Sequence, residues 1–302
     1  MATTYTNITS NKTKTTLWIV FFLSFVILLG YVLGRALDIS WLFPFAIFFA
    51  LFQGVTTYWW SDKIALAVAG AHEVNKSDAP ELYRLVENLS ITAGIPTPKV
   101  YIIDDMAPNA FATGRDPKHA SIAVTRGLLT KLNKPELEGV LAHEFSHIGN
   151  YDILLSTAIV VLVGIVVLVS NWFFRISLFG GGRRSNNNND SGGIFMIVGL
   201  VLALLSPLFA TLIQLAISRK REFLADASGA LLTRNPNELA DALQKITADP
   251  EPLIHANNAT AHLYFSEPLK DSKGKNRNLF ANLFSTHPDP AERIKRLREM
   301  AM

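Results

Sequence analysis

Leu141-Ala142-His143-Glu144-Phe145-Ser146-His147 is the stretch on which the reading of this chain turns. Two histidines four positions apart on a helix share one face, one turn above the other. Neutral imidazoles at that spacing can both reach one Zn²⁺. Glu144 follows the first histidine by one position, so it is rotated by about 100° from it. It can meet a water on the metal without being a ligand, the placement a general base for metal-assisted hydrolysis needs. The flanking residues favour a helix: Leu137, Val140, Leu141 and Phe145 recur with its period, and Pro135, Glu136 and Glu138 suit a first turn. The competing reading is an accidental match within a helix of other purpose.

A metal held by two histidines needs a third protein ligand. The run Ser218-Arg-Lys-Arg-Glu222-Phe-Leu-Ala-Asp226 continues helically from an apolar segment. Glu222 and Asp226 are four apart and share a face. Glu222 is predicted to be the third zinc ligand, and Asp226 to accept the second N–H of a ligating histidine. The alternative is that both merely pair with Arg219 and Arg221 on a wet face.

The 302 residues are 49% hydrophobic and only 18% charged, below the quarter typical of soluble domains. The deficit falls in four segments, which predicts a membrane protein. A net charge of +3 without basic blocks interleaved with aromatics gives nucleic-acid binding no support. With no cysteine, neither thiolate ligands nor disulfides are available.

In chain order, 1–16 reads as a polar, disordered tail. Residues 17–60 read as a transmembrane hairpin, 17–34 and 41–60, each long enough to cross a hydrocarbon core. Trp41, Tyr58, Trp59 and Trp60 are placed as interfacial anchors, and a cleaved signal peptide is the weaker alternative for the first span. Residues 61–153 are the first half of a water-soluble domain. Helices are expected over 62–74 and 79–93, and a small antiparallel sheet from 100–103, 110–114 and 121–125, beside the zinc helix. Its edge suits an extended peptide held by main-chain hydrogen bonds; the alternative is a purely supporting sheet. Residues 154–217 are a second membrane pair, 154–174 and 194–217, around the Gly/Asn-rich linker 180–193. Residues 218–302 are the second half of the soluble domain. Lys12, Lys14, Lys63 and Arg219 to Arg221 favour the cytoplasmic side for both soluble halves, with Arg175, Arg183 and Arg184 pulling weakly the other way. The fold class expected is therefore a mainly α membrane protein with four spans and an α+β catalytic domain.

Four separated motifs occur in the order found in one family: His143-Glu-x-x-His147, Arg219-x-x-Glu222-x-x-Ala225-Asp226, Asn109-Ala-Phe-Ala-Thr-Gly114 and Ser285-Thr-His287-Pro288. The chain resembles the HtpX-type membrane metallopeptidases of family M48 over nearly its whole length. The long Gly/Asn linker departs from that pattern. The resemblance implies a gluzincin-like core in a bacterial inner membrane, a relationship to the CAAX prenyl endopeptidases, and proteolytic quality control. Its substrates would be membrane or unfolded polypeptides, and other membrane quality-control proteases its possible partners. It also implies that His287 can donate to the developing oxyanion and that Asn109 and Ala110 meet substrate backbone. His287 otherwise only sits in a helix-starting turn. His72, His119, His255 and His262 carry no metal spacing. Cleavage inside the bilayer is a second enzymatic reading, opposed by the charges flanking the zinc helix. A non-enzymatic scaffold or transporter is a third.

Overall fold

The computed structural model describes residues 4–36, 38–162, 219–254, 260–266, 268 and 288–301. The linker 180–193, the segment 194–217, most of 154–174 and His287 lie outside them. Helix α1 spans Thr4–Ala36 and α2 spans Leu42–Val68. Within α1 the stretch Ile8–Val32, and in α2 the whole helix, are long and apolar enough to cross a membrane. They pair closely because the facing residues are small. A Cβ on Gly30 would come within 2.2 Å of that of Ala46, so only glycine lets the two backbones approach this far. Helix α1 begins at Thr4, so the polar stretch expected as a loose tail is its first turns. The hydroxyls of Thr15 and Thr16 bond the carbonyls of Asn11 and Lys12 one turn back, which satisfies these polar groups within the helix. At 33 residues the helix is about 50 Å long. The uncharged stretch after Lys14 suffices for the hydrocarbon core of about 30 Å, so the first turns project beyond it.

Helix α2 runs without a break to Val68, absorbing most of the separate helix expected over 62–74. Gly70, with φ +66°, then turns the chain, and Ala71–Glu73 is strand β1. Helix α3, Pro80–Ala93, starts on a proline and stops at Gly94, whose left-handed φ of +67° suits a residue without Cβ. Strands β2 (Lys99–Ile103), β3 (Ala110–Gly114) and β4 (Ala120–Thr125) follow.

The sheet order is β1-β2-β4-β3. Pairs β1/β2 and β3/β4 are antiparallel, but β2/β4 is parallel, with Val100 opposite Ile122. The sheet is therefore mixed, not antiparallel as expected. Strands β3 and β4 form a local hairpin whose turn is held by the Asp116 carboxylate, which accepts from the N–H groups of Lys118 and His119. That hairpin enters with β4 innermost. Every residue of β4 is buried, as an inner strand requires.

Side chains alternate across the sheet. Val100, Ile102, Ile122 and Val124 face a core shared with α3 and the metal-motif helix. Ile103, Phe111 and Ala123 face the lower end of α2 at Ala65, Leu66 and Ala69. The lower end of α2 thus seats directly on the sheet.

Helix α4 is Arg126–Lys131, and α5, Lys134–Gly149, carries the histidine pair. Asn133 and Glu136 cap its start reciprocally, each side chain bonding the other's backbone N–H. The chain then turns by 85° into α6, Asp152–Leu162, through Tyr151 at φ +60°. Helices α5 and α6 are together long and apolar enough for one bent span. Most of α5 is buried among the sheet, α3 and the later helices. Those are α7 (Arg219–Thr233), α8 (Pro236–Ala248) and α9 (Pro290–Glu299).

Helix α7 crosses α5 at Gly229, where a Cβ would lie 2.9 Å from the His143 nitrogen and 3.1 Å from its Cα. Gly229→Ala is expected to push these helices apart. Overpacking of this kind costs about 1–3 kcal/mol, so the detergent-solubilised variant should melt earlier than wild type and retain less metal after dialysis.

Candidate active site

The face of α5 turned toward α7 carries His143, and His147 one turn on. Helix α7 brings up Glu222 and, one turn later, Asp226, all of them buried or nearly so. The two Nε2 atoms are 3.1 Å apart. Glu222 Oε2 is 3.9 Å from His143 Nε2, and its Oε1 is 3.6 Å from His147 Nε2. One donor atom from each of these three residues falls within 4.8 Å of the others. Tetrahedral bonds of 2.0–2.1 Å place ligand atoms about 3.3 Å apart, so the spacing fits a single small divalent ion. Two imidazoles with a carboxylate and no thiolate is a donor set that suits zinc. The pairing of Glu222 and Asp226 with Arg219 and Arg221 on a wet face does not occur.

Each imidazole is held from behind by a carboxylate. His143 Nδ1 lies 2.9 Å from Asp226 Oδ1, so the structure places Asp226 beside a ring of the histidine pair. His147 Nδ1 lies 3.2 Å from Asp152 Oδ2, a partner the sequence reading missed. A protonated Nδ1 turned to a carboxylate leaves Nε2 free to present its lone pair to the cluster.

Arg293 of α9 is the second missed residue. It is only 1% exposed. Its guanidinium donates from Nε and Nη2 to both oxygens of Asp226, at 2.8 and 2.7 Å, and from Nη1 to the Phe265 carbonyl at 3.1 Å. The ring of Phe265 packs under it and also meets the His143 ring edge-on. The only signal in the sequence was phase: Arg293 is four residues before Leu297, on the buried side of its helix.

These contacts set the protonation states. Burial pushes the His143 pKa down to about 4 despite Asp226, so its imidazole is neutral. His147 is pushed up to about 9: burial opposes its charge, but Asp152, Glu222 and Glu144 outweigh it. Burial raises Glu144 to about 7, reinforced by Glu222 and opposed by His147. The nearby Ala112 backbone N–H also favours the ionised carboxylate, a smaller effect. Glu144 therefore gains and loses a proton near neutrality, as a general base should. Burial disfavours charge on Asp226 too, yet Arg293 and His143 hold it down at about 2.

Strand β3 is the sheet edge beside α5, but its residues are buried. Residues 260–266 lie along its start. Phe265 N–H donates to the Ala110 carbonyl at 2.8 Å. Asn109 donates to the Ser266 carbonyl at 2.9 Å and accepts from its N–H at 3.2 Å. Asn109 and Ala110, expected to meet substrate backbone, here meet this chain's own strap. Ala112, two residues on and in the same outward phase, lines the cleft with Glu144, His147, Ser156 and His262. His262 had carried no functional expectation; its Nε2 lies 2.9 Å from the Ser156 carbonyl.

Two outcomes follow from these contacts. Arg293→Gln removes the charge facing Asp226 and strands a buried carboxylate. Breaking such a pair costs about 3–5 kcal/mol, so a large drop in thermal stability is expected, rescued in part by adding Asp226→Asn. Metal binding requires a neutral His147 imidazole, so apparent metal affinity should climb as pH rises toward about 9 and then level off. Chelator-buffered titrations over a pH series measure this.

Residues 76–301 match Peptidase family M48. A protein named Protease HtpX homolog from Tropheryma whipplei (strain Twist) is 46% identical over 301 residues, covering 98% of either chain. A namesake from Dictyoglomus turgidum is 45% identical, covering 99% of this chain and 95% of its own. The crystal structure of S. mikatae Ste24p shares the fold at a TM-score of 0.50 and 18% identity, over 96% of this chain and 66% of that one. A match of that extent, with full-length relatives at this identity, makes the chain a member of peptidase family M48 among the HtpX-type membrane metalloproteases.

Proposed function

We propose that this protein is a zinc-dependent endopeptidase of a bacterial inner membrane. It hydrolyses peptide bonds in membrane or unfolded polypeptides on the cytoplasmic side, as part of protein quality control beside other membrane proteases. The observation that carries the reading is the convergence of His143, His147 and Glu222 donor atoms within 4.8 Å, with Glu144 buried beside them. An accidental motif in a scaffold or transporter would not bring a third ligand from a remote helix. Sidedness rests on Lys12, Lys14, Lys63 and Arg219 to Arg221, which flank the membrane segments on the side of the site. The soluble halves 61–153 and 218–302 then form one catalytic domain, and four spans put them on one face of the bilayer.

When bound, zinc supplies the Lewis acidity that polarises a carbonyl and acidifies water. His143, His147 and Glu222 would hold it. Glu144, which lines the cleft beside Ala112, takes the proton of the attacking water and returns it to the leaving amine. The buried surroundings that push Glu144 up to about 7 make both transfers accessible at neutral pH. Extended substrate pairs along β3 from Ala112 onward, and reaches Asn109 and Ala110 only by replacing the contacts of Phe265 and Ser266. His287, outside the described residues, donates to the developing oxyanion. In support, Arg293 of α9, which begins three residues after it, already reaches Asp226.

Glu144→Gln should retain zinc and lose about 10²–10⁴-fold in cleavage of casein or of the protein itself. Glu222→Ala should lose the metal. Zinc content by elemental analysis, alongside cleavage by detergent-purified protein with and without chelator, tests both. Wild-type cleavage by the Glu144 variant would remove the mechanism, and full zinc occupancy in the Glu222 variant would remove that ligand.

A further inference from the structure

We propose that Asn11, on the N-terminal membrane helix, is a positioning residue for His147 that acts through Asp152. The seating of α1 against the catalytic domain then sets how that imidazole faces the metal site. The inference rests on His147 being a ligand, as proposed above.

The first turns of α1 project beyond its apolar stretch, and there Asn11 is buried against the corner that joins α5 to α6. Its Nδ2 group carries two hydrogens and finds two acceptors: the Asn150 carbonyl at 2.9 Å and Asp152 Oδ1 at 2.7 Å. These flank Tyr151, whose φ of +60° is a conformation that a residue with a Cβ rarely adopts. The Lys12 ammonium lies 4.1 Å from the centre of the Tyr151 ring. Three consecutive corner residues are thus gripped by two consecutive residues of α1.

The corner bears directly on the site because Asp152 divides its oxygens. Oδ1 receives Asn11 and, at 3.3 Å, Arg221 Nη1. Oδ2 is left for His147 Nδ1 at 3.2 Å. Two donors on one oxygen fix the rotation of the carboxylate. A fixed carboxylate selects the Nδ1–H tautomer and the ring plane that present Nε2 to the cluster. Arg221 comes from the start of α7, directly after the fourth apolar segment of the sequence, and Asn11 from the polar turns of α1 that precede the first. A short asparagine on a rigid helix defines position more tightly than a long arginine. Displacement of α1 by one hydrogen-bond length would free Asp152 to rotate and leave His147 unsteered.

The test uses full-length, detergent-purified protein and two readouts other than activity. One is the rate of zinc release to a chromophoric chelator; the other is the visible d–d spectrum of the cobalt(II)-substituted protein. Asn11→Ala should release zinc roughly tenfold faster, the low end of the effect of losing an outer-shell partner, with an altered cobalt spectrum. Asn11→Ser, which keeps one donor, should fall between it and wild type. Thr13→Ala, an exposed change on the same turn, should match wild type. Asp152→Asn should release zinc faster too, and adding Asn11→Ala to it should cause no further change, because both act through one carboxylate. Wild-type release and spectrum in Asn11→Ala and Asn11→Ser would overturn the inference, as would full additivity with Asp152→Asn. If Asn11→Ala does not fold, Asn11→Ser alone and with Asp152→Asn decides. Wild-type protein that holds no stoichiometric zinc would instead overturn the reading of His147 as a ligand.

Discussion

A single carboxylate, that of Asp226, ties together three remote parts of this chain. It faces His143 Nδ1 on one side and takes both arms of the Arg293 fork on the other. Helices α5, α7 and α9 therefore meet at one buried charge. Such a charge is stable only while both partners stay in place, since an unpaired carboxylate in a dry interior costs several kcal/mol. The ionised state of Asp226 follows from this arrangement, while burial keeps His143 neutral against the pull of that carboxylate. The second imidazole is held by the same logic, with Asp152 behind His147 and Arg221 and Asn11 behind Asp152.

The membrane helices take part in this construction. The lower end of α2 packs on one face of the sheet, while the histidine helix packs on the other. The start of α1 grips the corner that leads out of that helix. The site is thus built on the bilayer hairpin rather than tethered to it. Polar residues at the head of a span, which cannot gain from lipid contact, gain instead from acceptors on the catalytic domain.

The sheet edge beside the site carries a segment of the same chain. Phe265 takes the Ala110 carbonyl, Asn109 clamps Ser266, and Phe265 also walls the histidines. Exposed strand edges are liabilities, and the strap removes this one. Where the strap ends, Ala112 turns its outward-facing backbone to the cleft.

How much of this was legible in the chain depends on the range of each interaction. His143, Glu144 and His147 were readable because a helix fixes the relative direction of residues four apart through covalent geometry alone. The first turn of α5 at Pro135 and Glu136, the two apolar spans and the shared face of Glu222 and Asp226 are local in the same sense. The order of the strands was not, since a hairpin can enter a sheet with either strand inward, and here β4 lies between β3 and β2. Nor were Asp152 as the partner of His147, Arg293 as the counter-charge of Asp226, or Asn11 as anything but part of a polar tail. Asn11 meets Asp152 across 141 positions, and Arg293 meets Asp226 across 67. No period or spacing links such residues. The sequence by itself determined which groups could hold a metal and attack a peptide bond; only the tertiary structure decided which buried charges aim them, because a charge leaving water takes whatever partner the packing of distant segments brings within reach.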